Sequence, residues 1–179
     1  PAYRSTFPVD MHFETTTAGA SWFISSRLTG NKYMKTDSNA VEVADSNLDH
    51  DYMNGVYTST GTVSGYYGWM WKRAPGYFDV VAYTGTGSAR TISHNLGVAP
   101  EMMWVKRRTG GTADWQVYHS ALGNAKELHL NLTDAEASST KFNSTDPTSS
   151  VFSVGTATSV NRSGDTYIAY LGYTCYGSK

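Results

Sequence analysis

Asp45-Ser46-Asn47-Leu48-Asp49-His50-Asp51 is the sharpest chemical signal in the chain. Asp, Asn and Asp at alternate positions match the opening of a Ca²⁺-binding loop, which draws hard oxygen ligands from such positions. The match fails further on. His50 stands where that loop needs Gly for its turn, and Val56 stands where a bidentate Glu would close the coordination shell. The segment therefore reads as a solvated turn rich in capping residues, with a Ca²⁺ site as the competing reading.

His12, His50, His94, His119 and His129 are the candidates for zinc binding or acid–base work. No two of them have the His-x-x-x-His spacing that sets two rings on one helix face, so they read as scattered surface or strand residues. No Gly-x-Ser-x-Gly elbow, phosphate loop or dinucleotide fingerprint occurs. On these grounds we assign no catalytic residue, cofactor or metal ligand, and expect a non-enzymatic protein.

Two further groups suggest binding. Lys106-Arg107-Arg108, before Thr109-Gly110-Gly111, is the one basic cluster. It reads as a charged strand edge that discourages sheet-to-sheet pairing, or as a grip on a carboxylate-bearing partner. Among the tryptophans, Trp69, Trp71 and Trp104 lie in apolar runs and are expected in the core. Trp22 and Trp115 follow polar turns and are the candidates for stacking on sugar rings.

The 179 residues carry a formal charge of -1, which gives no electrostatic footprint for nucleic acid or an anionic membrane. No apolar run has the length of a transmembrane helix, and no membrane insertion is expected. Cys175 is the only cysteine, so no internal disulfide framework exists. It reads as a packed thiol or an exposed one.

The elements that must position these residues follow an all-β rhythm, with Gly, Ser, Thr, Asn and Asp punctuating the chain every eight to twelve residues. Strands are expected at 9–15, 21–27, 31–36, 55–60, 65–72, 77–84, 88–93, 101–108, 114–119, 126–132, 150–155 and 165–174. The runs 66–71 and 167–173 lack polar alternation, as central strands covered on both faces would. Short helical turns are expected at 39–44 and 133–139, the second capped by Thr133 with Glu136 three residues on.

The chain also repeats itself in order. Asp10-Met11-His12-Phe13 recurs as Glu101-Met102-Met103-Trp104, Ile24-Ser25-Ser26-Arg27-Leu28 as Tyr118-His119-Ser120-Ala121-Leu122, and Tyr66-Tyr67-Gly68-Trp69-Met70 as Tyr167-Ile168-Ala169-Tyr170-Leu171. The expected architecture is two similar antiparallel β-sandwich lobes, jelly-roll-like, from an internal repeat: 1–74, and 75–179 with an extra hairpin at 77–93. Because that hairpin has no counterpart before residue 9, the first lobe should leave a sheet edge open near residues 1–15. Open edges template pairing, so a homo-oligomer or a complex with another protein is expected.

The chain resembles a domain of unknown function that recurs in bacteriophage virion and tail-fibre-like proteins. The stretch from Phe78-Asp79-Val80-Val81-Ala82-Tyr83 through Ile92-Ser93-His94-Asn95-Leu96-Gly97 carries the resemblance, with Val117-Tyr118-His119-Ser120-Ala121-Leu122-Gly123 and Gly164-Asp165-Thr166-Tyr167-Ile168-Ala169-Tyr170. The match is weaker before residue 76. The resemblance implies a structural protein on the virion surface, as capsid decoration or tail appendage, with other virion proteins as partners. The alternative is a carbohydrate-binding module that attaches the particle to host surface glycans. It carries over no catalytic residue.

Overall fold

Val, Ile, Thr and the aromatic residues fit a pleated, half-buried surface, and the runs they fill between Gly- and Ser-rich turns are the strands of this protein. The structure, a computed structural model, describes residues 3–17, 21–57 and 65–174. Cys175 lies outside the described residues.

A first large sheet contains β2 (Met11–Thr16), β3 (Trp22–Ser26), β4 (Lys32–Lys35), β5 (Val43–Ala44) and β7 (Tyr66–Trp71), in the order β5-β4-β3-β2-β7. A second contains β8 (Phe78–Thr84), β10 (Met102–Arg107), β11 (Gln116–His119), β12 (Lys126–His129), β13 (Ala137–Ser138) and β15 (Thr166–Gly172), in the order β13-β12-β11-β10-β15-β8. Two ribbons complete the fold: β1 (Tyr3–Arg4) with β6 (Gly55–Val56), and β9 (Arg90–Ser93) with β14 (Val151–Val154). Every pairing is antiparallel.

Each expected strand segment contains a strand, and three short strands were not expected. The helical turns are a correction. Residues 43–44 and 137–138 are two-residue strands that close hairpins onto β4 and β12. Glu136 caps nothing; it reaches across its hairpin to Lys126 Nζ at 3.1 Å. Helical structure occurs instead as a 3-10 turn at Arg27–Thr29 and one α turn, α1 (Thr158–Asn161).

The two apolar runs also part company. In β15 the five residues from Tyr167 to Leu171 are all buried, as a central strand requires, because β10 and β8 flank it. Among the described residues β7 has only β2 beside it and forms an edge. Its aromatic content is not a mark of two-sided cover, since Tyr67 and Trp69 are exposed. Among the described residues the long edge of the first sheet is β7; nearer the start of the chain, β1 is paired with β6 and β2 lies between β3 and β7.

Three apolar clusters hold the layers together. Met11, Ile24 and Met34 of the first large sheet meet Phe78, Val80, Trp115, Ile168 and Tyr170 of the second side. Behind the second sheet, Met103, Val105, Ala169 and Leu171 pack against Ile92, Phe152 and Val154 of the β9–β14 ribbon. Behind the first, Met70, Tyr66 and Tyr33 pack on Tyr3 and Val56 of the β1–β6 ribbon.

That last contact needs a glycine. A Cβ on Gly68 would stand 2.6 Å from Tyr3 Cε1 and 2.8 Å from His12 Nε2. Gly68→Ala should push the ribbon outward and cost about 1 to 3 kcal/mol, the usual range for overpacking. Urea unfolding checks this; an unchanged midpoint would place the ribbon wrongly.

Candidate functional site

Between the large sheets, at one end of their shared apolar cluster, lies a cavity of about 320 Å³. Met11, Phe13 and Trp71 project into it from β2 and β7, alternate positions of strands whose period of two puts them on one face. Phe78, Trp104 and Tyr170 line it from the second sheet, with Tyr77 and Tyr173 at the chain segments beside it. Its polar groups are few. Glu101 accepts hydrogen bonds from the Thr174 amide at 3.0 Å and from the Thr174 hydroxyl. His119 accepts one at Nδ1 from the Ala121 amide at 3.1 Å, which leaves the proton of the neutral ring on Nε2 as a donor. An aromatic slot with a single carboxylate and one imidazole donor suits a flat ring with polar substituents.

The aromatic surface continues past the cavity. Phe13 stacks on Trp22 with centroids 5.2 Å apart, and Trp22 on Trp69 at 5.9 Å. Tyr67 tilts against Trp69 at 6.5 Å. Trp22 is 37% exposed, Trp69 44% and Tyr67 60%, so a belt of ring edges runs from the cavity along β7.

Of the two tryptophans expected to face sugar, Trp22 sits in this belt, although its ring faces are largely taken by Phe13 and Trp69. Trp115 is a correction. It is fully buried, its Nε1 donates to the Lys35 carbonyl at 2.8 Å, and its ring stacks on Tyr170. The preceding polar residues turn back instead of exposing it: Asn131 Oδ1 accepts from the Trp115 amide at 2.9 Å while Asn131 Nδ2 donates to Asp114.

The basic cluster is corrected as well. Lys106 is fully buried and donates to the carbonyls of Asn39, at 3.0 Å, and Ala113, at 2.6 Å. Burial pushes its pKa down to about 8. Arg107 pairs with Asp165 at 2.6 Å, and Arg108 Nε donates to Glu42 at 2.7 Å. The cluster does grip carboxylates, but those of its own chain. Lys106 and Trp104 share the face of β10 turned toward the first large sheet, and the long lysine stem carries the ammonium past the apolar cluster to part-buried carbonyls.

In the 45–51 loop the carboxylates serve the backbone. Asp45 accepts from the Asn47 amide at 2.9 Å and Asp49 from the Asp51 amide at 2.7 Å, two Asx turns. Among the described residues no group of three His, Cys, Asp or Glu side chains is placed to hold a metal ion. No helix among them is long and apolar enough to cross a membrane.

A polar cluster that the sequence conceals lies under the β1–β6 ribbon. His12 and His50 are both buried; His50 Nε2 lies 3.3 Å from Ser25 Oγ, and His12 Nε2 lies 4.0 Å from Glu14 Oε2. Tyr3 Oη, His12 Nε2, Glu14 Oε2 and His50 Nδ1 are buried without a hydrogen-bond partner among the described residues. Desolvation, with a smaller contribution from His50, holds His12 down to about 3, and desolvation with Arg27 nearby holds His50 down to about 4. Nothing in a separation of 38 positions signals this meeting; only the pairing of β2 with its neighbours brings it about.

The family described as a domain of unknown function, DUF7483, matches residues 28–178. The chain belongs to that family. The DUF7483 match begins just after β3 and takes in the rest of both large sheets, the wall of the cavity formed by β7, β8, β10 and β15 included. No curated protein and no solved structure matches the chain.

Proposed function

We propose that this chain is a structural protein of the bacteriophage virion, displayed on the particle surface as capsid decoration or tail appendage, and that it works by contact. The observation that carries the reading is the uncovered surface: an apolar sheet edge at β7 and a belt of aromatic rings contiguous with it. Large exposed aromatic patches mark interaction sites. The resemblance of residues 78–173 to virion and tail-fibre-like domains supplies the setting.

A duplicated module fits the same reading, as two β-sandwich halves built from one strand plan. The order β5-β4-β3-β2-β7 in the first sheet parallels β13-β12-β11-β10-β15 in the second. The registers agree pair for pair: Met11 faces Trp71 as Met102 faces Gly172, His12 faces Met70 as Met103 faces Leu171, and Phe13 faces Trp69 as Trp104 faces Tyr170. The ribbons β1–β6 and β9–β14 take corresponding places, which leaves β8, among the described strands, without a counterpart. Two copies of a contact surface serve an assembling protein well.

Mass spectrometry of purified, nuclease-treated particles from the phage that encodes this chain should find it in stoichiometric amounts, and antibodies against the folded chain should label intact particles. Its absence from the particles would remove the reading.

Glycan attachment is a second reading, favoured by the cavity. Tyr77 and Trp104 offer ring surface, and His119 Nε2–H and Glu101 offer polar contacts to hydroxyls. Titration with host surface polysaccharide should then quench tryptophan fluorescence in the wild type and not in Trp104→Ala. Equal quenching in both, or none in either, would contradict this second reading.

A further inference from the structure

We infer that two copies of this chain pair edge to edge through β7, antiparallel about a two-fold axis centred on Gly68. This pairing belongs to the isolated chain and does not depend on where the protein sits in a particle.

Hydrogen-bond parity defines the edge. The Thr17 amide donates to the Gly65 carbonyl at 2.7 Å, so Gly65, Tyr67 and Trp69 turn their backbone groups toward β2. Tyr66, Gly68 and Met70 turn theirs to the open side, where no strand lies among the described residues. Proline, charge and bulges are the usual devices that blunt an edge, and Tyr66-Tyr67-Gly68-Trp69-Met70-Trp71 contains no proline and no charged residue.

The other edges of the large sheets are blunted or too short. At β8, the bonds from the Tyr173 amide to the Tyr77 carbonyl, 3.0 Å, and from the Gly85 amide to the Asp165 carbonyl, 2.8 Å, put Phe78, Val80, Ala82 and Thr84 on the outer side, where Ala82 alone keeps both backbone groups open among the described residues. There Phe78 exchanges both its backbone bonds with Ala74, at 2.9 and 3.0 Å. The Val80 amide is taken by Asp79 Oδ1 at 2.9 Å, and the Thr84 carbonyl by Arg90 Nη2 at 2.5 Å. β5 and β13 are two residues long. The edge left for β7 to meet in a second copy is β7 itself.

Self-pairing fixes the rest. A two-fold axis makes the strands antiparallel, which also keeps Lys72-Arg73 of one copy away from the same pair in the other. Centred on Gly68, the register sets Tyr66 opposite Met70 and Gly68 opposite Gly68, the residues whose backbone groups point outward. Between them Tyr67 stands opposite Trp69 of the second copy, so the two exposed aromatics at the edge form cross-strand pairs with each other. The β1–β6 ribbon packs behind Gly68, on the face of the strand and not at its outward backbone groups.

Light scattering during size-exclusion chromatography should give twice the 19.6 kDa chain mass, falling to the single mass on dilution. Tyr67→Lys together with Trp69→Lys should shift the mass to monomer at the same concentration, with circular dichroism unchanged. Tyr67→Lys alone, at the more exposed position, should weaken the dimer at least tenfold. Hydrogen exchange gives an independent reading on the wild type. The Tyr66, Gly68 and Met70 amides should exchange slowly in concentrated samples and quickly on dilution, while the Tyr67 and Trp69 amides stay slow throughout. A wild type that is monomeric into the millimolar range would overturn the inference. So would a dimer in which the three outward amides exchange freely.

Discussion

Lowering the pH from about 6.5 toward 4 is expected to strip this protein of much of its stability. Unfolded imidazoles take up protons near 6.5. In the folded protein His12 does so only near 3 and His50 only near 4. Between those limits the unfolded chain binds more protons than the folded one, so stability is intact above about 6.5 and falls as the pH descends through this window. Each pKa unit is worth about 1.4 kcal/mol, so the two sites together are worth roughly 8 kcal/mol in full and about 6 kcal/mol by pH 4, a large share of a typical domain's stability. Glu14 acts in the opposite sense. Burial raises its carboxyl above the ordinary value, and its proton uptake in the folded state offsets part of the loss. Urea unfolding followed from pH 7.5 to 4 should show the decline, and His12→Asn should flatten it. A profile level down to pH 4.5 in the wild type would mean that the pair is hydrated.

Lys106→Met is expected to cost about 2 to 4 kcal/mol, comparable with the roughly 3 to 5 kcal/mol expected for Tyr170→Ala in the core. A surface lysine would cost less than about 1 kcal/mol, which is what the sequence alone suggests for Lys-Arg-Arg before a glycine turn. The larger figure follows from burial of the Lys106 side chain and from two part-buried carbonyls, of Asn39 and Ala113, that lose their shared donor. The methionine keeps the stem packing, so the measured loss isolates the ammonium. A thermal melt in which Lys106→Met unfolds with the wild type would show that water replaces it.

Strand existence was legible because its cause is local: punctuation by Gly and Ser, with β-branched and aromatic residues between. Two-residue strands such as Val43–Ala44 carry no periodicity and exist only because β4 is there to pair with. The two apolar runs looked alike, yet β15 is central and β7 is an edge, because flanking is decided by which strand lies alongside and not by the run itself. At the site, Trp22 was legible as an exposed ring. Trp115, after an equally polar turn, was not, since Asn131 and Lys35, far away in sequence, draw it inward. The cavity had no sequence signal. Its walls come from six strands and only the packing of two sheets assembles them.

On the proposed reading, this protein acts by contact, through the edge and aromatic belt at β7. A cryo-EM map of the intact particle tests it most directly. It should place the chain on the particle surface with Tyr66–Trp71 buried against a neighbouring copy. A particle without density for the chain, or a chain whose β7 edge and Tyr67–Trp69 rings all face solvent there, would contradict it.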